Sequence, residues 1–439
     1  MNFYSLDRFY FCTNKKKSMI VEVSFCLKSE VNADILSRAV KKAMTLFPTW
    51  QSRPYVDADS GYITFRKNEN PVPVCYDDHT YVKLGSDESN GYLFRVFYKG
   101  NRISIRAFHC LGDGYVASLF ATHVLYFYLK ELHPDLDGGD FIFSEIPNSA
   151  DDDFVKKAAE YLADLPEKSS EESAEVINTD GRFVEDFEME HYFTEKARSV
   201  HIICDNKSYM EYCSSHQVSS TSFLTDLIAR SVYEAYGVKN KRMDACIAVD
   251  LRKQFNSKSF HNFATDITLC YDYEMLEMEE EKRYEILCSR LKKAIDTEKL
   301  AKQTVDYGAS CEVLNQYYTL ASHALVEERL TEQQKSNLVS FYISNLSKLP
   351  IPNEFDKYID NVYIVGNPVK PETNYYITRF EDVLNIIVSQ NFDNIKVVEL
   401  LVEKLNCLGI TSSIQTNELF TYDYASIENF EMIKQGECE

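Results

Sequence analysis

A histidine and an aspartate four residues apart are the residues whose types and spacing most clearly suggest catalysis. They lie in the segment FHCLGDG, as His109 and Asp113. A neutral imidazole held in one tautomer acts as a general base on a proton within hydrogen-bond reach. The same spacing also fits a buried structural histidine followed by an aspartate that only caps a helix. Spacing alone leaves both interpretations open.

Two other chemistries at this motif are less favourable. Metal binding by His109 and Asp113 would need a helix through both residues and a third ligand, and Gly112 and Gly114 argue against that helix. A nucleophilic Cys110 would have to reach His109, although adjacent strand residues point to opposite faces. The chain has no nucleophile elbow, phosphate loop or dinucleotide fingerprint. We therefore expect no bound metal.

The elements that must position the motif are a hairpin, a tight turn and a helix. The stretch LFRVFYKGNRISIRAFHC contains two alternating apolar runs joined by a turn at Gly100. The second run predicts a strand that ends at His109 with the imidazole on its apolar face. Apolar residues from Val116 onward recur at helical spacing, which predicts a helix that ends before Pro134.

The rest of the chain alternates strand and helix patterns, which indicates an α/β (α+β) protein. Strand 19–27 precedes a helix that ends at Pro48, and the second half contains strands at ACIAVDLR, VSFYISNL, YIDNVYIV and VLNIIVSQ. The segment MEEEKRYEILCSRLKKAIDTEKL predicts one long charged helix. A polar stretch separates the halves, so we predict domains at 1–165 and 191–439 with a linker at 166–190.

Length and composition restrict the class of protein. A chain of 439 residues exceeds one compact core. Its net charge of -21 argues against nucleic acid as a partner. No apolar stretch is long enough for a transmembrane segment, and the N-terminus has the reverse order of a secretory signal. The 12 cysteines form no C-x-x-C pair, so we expect free thiols and a cytoplasmic protein.

The motif and its neighbours resemble a known superfamily. The pattern H-x-x-x-D-G, ending in Gly114, resembles the signature of chloramphenicol acetyltransferases, BAHD acyltransferases, peptide-synthetase condensation domains and alcohol acetyltransferases. NADILSRAVKKAMTLFPTWQSRPY, AVDLRKQFNSKSFHNFATDI and FYISNLSKLP resemble further segments of bacterial alcohol-acetyltransferase-like proteins, in the same order. Phe108 replaces the first histidine of the condensation-domain motif, and nothing matches the plant D-F-G-W-G motif.

This resemblance implies a fold and an activity. The fold would have two chloramphenicol-acetyltransferase-like subdomains, each a mixed, largely antiparallel sheet flanked by helices, with an active-site tunnel between them. The activity would be transfer of an acyl group from acyl-CoA, such as acetyl-CoA, to the hydroxyl or amine of a small acceptor. His109 would act as general base without a covalent acyl-enzyme. Acyl-CoA would be a cosubstrate, with no permanently bound cofactor.

The resemblance also implies roles for other residues. Asp113 would point away from substrate and fix the turn by pairing with an arginine, with Arg252 as first choice and Arg8 as second. Ser344 would donate to the oxyanion, although a serine that only bonds within its own strand is an equal alternative. Asn262 matches an asparagine of the family and would hold the strand turn.

Two alternative functions remain open. One is condensation on a thioester bound to a carrier protein, which is acidic and would need a basic docking surface. The dense basic spots are residues 239–242 and 15–17. They would equally suit the phosphates of coenzyme A, or be solvated surface. The other is a non-catalytic ligand-binding member of the superfamily.

Overall fold

The computed structural model describes most of the chain. The described residues are 3–12, 19–150, 152–165, 182–183, 196–336, 339–346, 348–368, 373–421 and 423–434. The predicted linker at 166–190 lies outside them, apart from residues 182–183. The basic spot at 15–17 lies outside them as well.

The described residues form helices of very different lengths. They are α1 (Ser5–Phe9), α2 (Ala33–Met44), α3 (Gly114–Leu132), α4 (Phe154–Ala163), α5 (Asn206–Ser215), α6 (Ser220–Tyr236), α7 (Glu280–Ala294), α8 (Thr297–Tyr317), α9 (His323–Ser336) and α10 (Lys396–Cys407). None of these helices is both long and apolar enough to cross a bilayer.

In the part of the chain that the structure describes, the strands fall into two large sheets and two small ones. They are β1 (Ile20–Leu27), β2 (Ser52–Asp57), β3 (Ile63–Lys67), β4 (Val74–Tyr76), β5 (Lys83–Leu84), β6 (Phe94–Lys99), β7 (Arg102–Phe108), β8 (Lys196–Asp205), β9 (Met243–Asp250), β10 (Ala264–Tyr271), β11 (Phe341–Asn345), β12 (Ile359–Gly366), β13 (Thr373–Phe380), β14 (Val383–Gln390), β15 (Ser412–Thr421), β16 (Tyr424–Ala425) and β17 (Glu431–Ile433).

The first large sheet has the strand order β12-β1-β7-β6-β4. Its neighbours are antiparallel except β4 and β6. One face packs on a core that includes side chains of α2 and α3, such as Val40 and Phe120. Trp50 stacks on Phe120 with ring centroids 4.0 Å apart. Buried aromatic pairs of this kind hold the helix that follows the motif against the sheet.

The second large sheet has the order β10-β9-β11-β13-β14-β8-β15. β11 runs parallel to β9 and β13, and the other neighbours are antiparallel. A separate apolar core joins this sheet to α6 and α10, with Leu227, Ile386 and Leu401 fully buried. The predicted fold class, mixed and largely antiparallel sheets flanked by helices, is confirmed.

The second half of the chain contributes strands to the sheets of the first half. β12 comes from the second half but pairs antiparallel with β1, from Val21 opposite Gly366 to Leu27 opposite Ile359. The C-terminal β16 and β17 likewise pair with β5 and β2 of the first half. Dividing the chain into 1–165 and 191–439 did not include this contribution, because pairing between distant strands leaves no local pattern.

Two local predictions need correction. The charged segment around residues 278–300 is two helices, because α7 ends at Ala294 and the Asp296 side chain accepts a hydrogen bond from the Lys299 amide to begin α8. The strand before the motif ends at Phe108, one residue early. The cysteines in the described residues are free thiols.

Candidate active site

A tight turn re-directs the chain between β7 and α3. His109–Leu111 form a single 3-10 turn, followed by Gly112 at φ 145° and ψ 167°. Residues with a Cβ rarely adopt this conformation, and a Cβ at this position would lie 2.7 Å from Val116. The turn therefore depends on glycine and leaves His109 at the end of the strand.

His109 lines a cavity of about 440 Å³ whose walls come from both large sheets. β1 and β12 contribute to one side, and β9, β10, β11 and β13 contribute to the other. Leu6 of α1, Tyr10 directly after that helix and Tyr307 of α8 also line it. The volume suits a small ligand.

The His109 imidazole is held by its Nδ1 atom. This atom lies 2.8 Å from Oδ1 of Asn262. The Asn262 amide nitrogen in turn donates to the His109 carbonyl at 3.0 Å and to Asp7 Oδ1 at 2.8 Å. With its nitrogen engaged twice, Asn262 presents its oxygen to the ring, so Nδ1 carries the proton. The lone pair is then on Nε2, the nitrogen available to substrate.

The surroundings of His109 favour the neutral ring. Burial lowers the pKa of His109 below its ordinary value, although Asp113, the Asn262 hydrogen bond and Asp266 act in the opposite direction. Tyr10 stacks on the imidazole with ring centroids 4.5 Å apart. A neutral, oriented imidazole at a cavity wall is what general-base catalysis requires.

Asp113 also lines the cavity, and both of its carboxylate oxygens accept hydrogen bonds that hold the turn. Its Oδ1 accepts from the Val116 amide at 3.2 Å, which caps α3. Its Oδ2 accepts from the Phe263 amide at 2.9 Å and from Arg252 Nη1 at 2.8 Å. Burial alone would raise the pKa of Asp113, but the Arg252 guanidinium and these hydrogen bonds hold it below its ordinary value.

Arg252 joins several loops into one cluster. Besides Asp113, its guanidinium contacts Asp250 at 3.0 Å and the carbonyls of Ser259 and His261 at 3.2 and 2.7 Å. The side chain is 6% exposed. Of the two expected partners for Asp113, the structure brings Arg252 to it. The other, Arg8, is exposed and lies over the Phe65 ring.

Ser344 and Gly114 lie on the walls of the same cavity as His109. Ser344 is on β11, paired with Tyr376 of β13, and is 9% exposed. Gly114 is the first residue of α3, and a Cβ there would meet Leu346 at 2.7 Å. All six predicted site residues are thus in or beside the cavity.

The alternative chemistries of the motif find little support. Cys110 is buried in the first core, and burial raises the pKa of its thiol well above the ordinary value, which disfavours the nucleophilic thiolate. Within the described residues, no three His, Cys, Asp or Glu side chains group as a metal site would require. Phe108, which replaces the condensation-domain histidine, is buried against Phe11.

The basic spot at 239–242 does not line the cavity. It precedes β9, whose other end reaches the cavity at Ala248 and Asp250. At the usual rise of a strand, Arg242 and Ala248 are about 20 Å apart. Arg242 also pairs with Asp244 at 2.7 Å.

Sequence reasoning missed the contribution of the N-terminal segment. Asp7 bonds to the asparagine that holds the imidazole, and Tyr10 stacks on the ring. The only local signal is the aromatic run FYSLDRFYF, which reads as ordinary core material. Their proximity to His109 arises from contacts about a hundred or more residues apart in the chain.

Comparison with known proteins shows likeness in structure alone. No protein-family model matches the chain, and no curated protein does so. Among solved structures, TRI3, a trichothecene 15-O-acetyltransferase from Fusarium sporotrichioides, aligns with a TM-score of 0.59 at 11% identity, over 93% of this chain and 94% of that chain. TRI101 of F. sporotrichioides, in complex with coenzyme A and T-2, gives 0.57 at 12% identity, over 94% and 98%.

The chain has the chloramphenicol-acetyltransferase-like fold. The nonribosomal peptide synthetase FmoA3 matches as well, with a TM-score of 0.56 at 13% identity, over 93% of this chain and 42% of that chain. The resemblance inferred from the motifs is therefore confirmed as a resemblance of fold. At these identities the comparison carries no substrate from one protein to another.

Proposed function

We propose that this protein transfers an acyl group from acyl-CoA to the hydroxyl or amine of a small acceptor, with His109 as general base. The observation that carries the proposal is the orientation of His109. Its Nδ1 is engaged by Asn262 at 2.8 Å, and its ring borders a cavity shared by both sheets. Nε2 is therefore the base available to an acceptor in the cavity.

The proposed reaction proceeds by direct attack. Nε2 of His109 removes the proton from the acceptor hydroxyl or amine as its oxygen or nitrogen forms a bond to the thioester carbonyl carbon. The carbonyl electrons move to oxygen, and the Ser344 hydroxyl donates to this oxyanion. When the carbonyl re-forms, the carbon–sulfur bond breaks and the thiolate takes the proton back from His109. The products are the acylated acceptor and the free thiol.

Asp113 and Arg252 have a structural role in this proposal. Their ion pair, at 2.8 Å, joins the first turn of α3 to the loop after β9. It keeps the imidazole at the cavity wall without taking part in proton transfer.

One observation supports coenzyme A as the thiol carrier. TRI101, which has this fold, is crystallised with coenzyme A, and the alignment covers nearly the whole of both chains. The basic spot at 239–242 lies about 20 Å from the cavity and does not distinguish coenzyme A from a carrier protein. Because the fold also resembles that of the nonribosomal peptide synthetase FmoA3, a carrier-bound thioester is the alternative donor to test against acyl-CoA.

The test is thiol release from a panel of acyl-CoAs in the presence of small alcohols and amines. We expect release that requires an acceptor, and a His109→Ala protein slower by about 10²–10⁴-fold. His133→Gln, at the far end of α3, is the matched control and should keep full activity. Full activity in His109→Ala would overturn the base role. Binding of acyl-CoA without release would favour a ligand-binding protein, and release only from a carrier-bound thioester would favour condensation.

A further inference from the structure

The carboxylate of Asp7 is fully buried beside the candidate active site. It lies in the short helix α1 and is 0% exposed. Oδ1 accepts from the Asn262 side-chain nitrogen at 2.8 Å and from its backbone amide at 3.2 Å. Oδ2 lies 2.8 Å from His261 Nδ1 and accepts from the Tyr4 amide at 3.2 Å. A buried carboxylate with this many partners is held in one orientation.

The contacts form a chain from Asp7 to the reactive ring. Asp7 binds the nitrogen of the Asn262 amide, and the oxygen of that amide faces Nδ1 of His109. An ionised carboxylate accepts hydrogen bonds and cannot donate them. If the amide rotated by half a turn, its oxygen would face the Asp7 carboxylate. Its nitrogen would then face His109 Nδ1. Asp7 and the His109 carbonyl, which accepts from the same nitrogen at 3.0 Å, therefore both disfavour the amide orientation that would place the His109 proton on Nε2.

We propose that Asp7 is a positioning residue, which fixes the Nδ1–H tautomer of His109 through the Asn262 amide. This inference rests on the proposed function for its effect on rate, but the tautomer itself is independent of the reaction. A ring protonated on Nε2 has no lone pair toward the acceptor and cannot take its proton. The N-terminal segment thereby completes the site with a residue that does not contact the substrate.

The first experiment compares kinetics of Asp7→Ala and Asp7→Asn with the unaltered protein. We expect kcat of Asp7→Ala to fall by about 10–100-fold, as for residues that orient a reactive histidine from behind. KM should change little, because Asp7 does not border the substrate. Asp7→Asn keeps the side-chain volume and one acceptor oxygen, so its kcat should lie between that of Asp7→Ala and that of the unaltered protein. Ser5→Ala, which removes a hydrogen bond from α1 to Glu312, is the matched control and should keep full kcat.

The second experiment reads the tautomer without any reaction. Long-range proton–nitrogen spectra of protein labelled with ¹⁵N-histidine report which ring nitrogen carries the proton, and His109→Ala identifies the His109 signals. We expect His109 to be protonated on Nδ1 in the unaltered protein and to show a measurable population of the Nε2–H tautomer in Asp7→Ala, where only the His109 carbonyl still accepts from the Asn262 nitrogen. Asp7→Asn should show a smaller population of that tautomer and provides the measurement if the alanine variant does not fold.

The outcomes separate this inference from the proposed function. Unchanged kcat in a folded Asp7 variant would overturn it. So would a lower kcat with the His109 tautomer unchanged, because Asp7 would then be structural. If the unaltered protein releases no thiol with any acceptor, the proposed function fails, while the spectra still decide whether Asp7 fixes the ring.

Discussion

At the scale of single residues, opposing electrostatic effects act on one imidazole. Burial favours the neutral form of His109, and the carboxylates of Asp113 and Asp266 favour the charged form. Burial is the larger effect, so the pKa of His109 lies below its ordinary value. Asp113 is close enough to act but is itself neutralised by Arg252 at 2.8 Å. This pairing explains why a nearby aspartate does not convert the base into an imidazolium.

The pH dependence of the reaction follows from this balance. Because the neutral ring is the active form and its pKa is lowered, activity should persist below the ordinary histidine pKa of about 6.5. We expect kcat/KM to be flat from about pH 7 to 8 and to fall with an acidic limb below 6.5. Measurement of kcat/KM across this range checks the prediction. An acidic limb at or above 6.5 would contradict it.

The Asp113–Arg252 pair gives a prediction about stability. Both side chains are at most 8% exposed, so removing the guanidinium leaves the Asp113 carboxylate buried without its positive partner. We expect Arg252→Met to lower the free energy of unfolding by about 3–5 kcal/mol. The double variant with Asp113→Asn should lose less than the sum of the two single variants, because they share one interaction. Urea unfolding of Arg252→Met, Asp113→Asn and the double variant measures these losses of free energy. Additive losses would contradict the coupling.

At the scale of elements, the hairpin, turn and helix act as one unit. β7 brings the chain to the cavity, Gly112 allows the turn, and Asp113 begins α3. Periodicity and turn chemistry predicted this order because each depends on neighbours within a few residues. The division between α7 and α8 was missed because a single capping aspartate, Asp296, interrupts a continuous charged pattern.

The turn predicts a specific effect of Gly112→Ala. At φ 145° an alanine is strained, and its Cβ would approach Val116 at 2.7 Å. We expect a loss of about 1–3 kcal/mol in the free energy of unfolding, together with a lower kcat because His109 is displaced. Gly100→Ala is the matched control, because that glycine also has positive φ but nothing within 4 Å and is distant from the site. Equal kcat in the two variants would contradict the role of the turn.

At the scale of the whole molecule, the strands that the second half contributes to the first hold the two halves together. β12 supplies the fully buried Ile359 and Val362 to the first core, and the C-terminal β17 extends the sheet of β2. Without β12, β1 would be an unpaired edge strand and the first core would lose these buried side chains.

A fragment of residues 1–165 tests this interdependence. We expect it to unfold without cooperativity or to aggregate, because it lacks β12, β16 and β17. Circular dichroism during urea titration, compared with the full chain, measures the transition. A cooperative transition in the fragment alone would show instead that the predicted domain is autonomous.

The sequence by itself determined the features that depend on neighbours along the chain. These are the motif at His109 and Asp113, the elements around it, and a resemblance that implied the fold. The choice between a catalytic and a structural histidine stayed open, because the two have the same local pattern.

Tertiary structure decided which distant residues meet. It paired Asp113 with Arg252 rather than Arg8, brought Asp7 to Asn262, and inserted β12 beside β1. These contacts join residues more than a hundred positions apart, and their geometry arises only when both sheets have packed. The physical reason is that a side chain's type limits what it can bind, while the packing of the whole chain selects the partner.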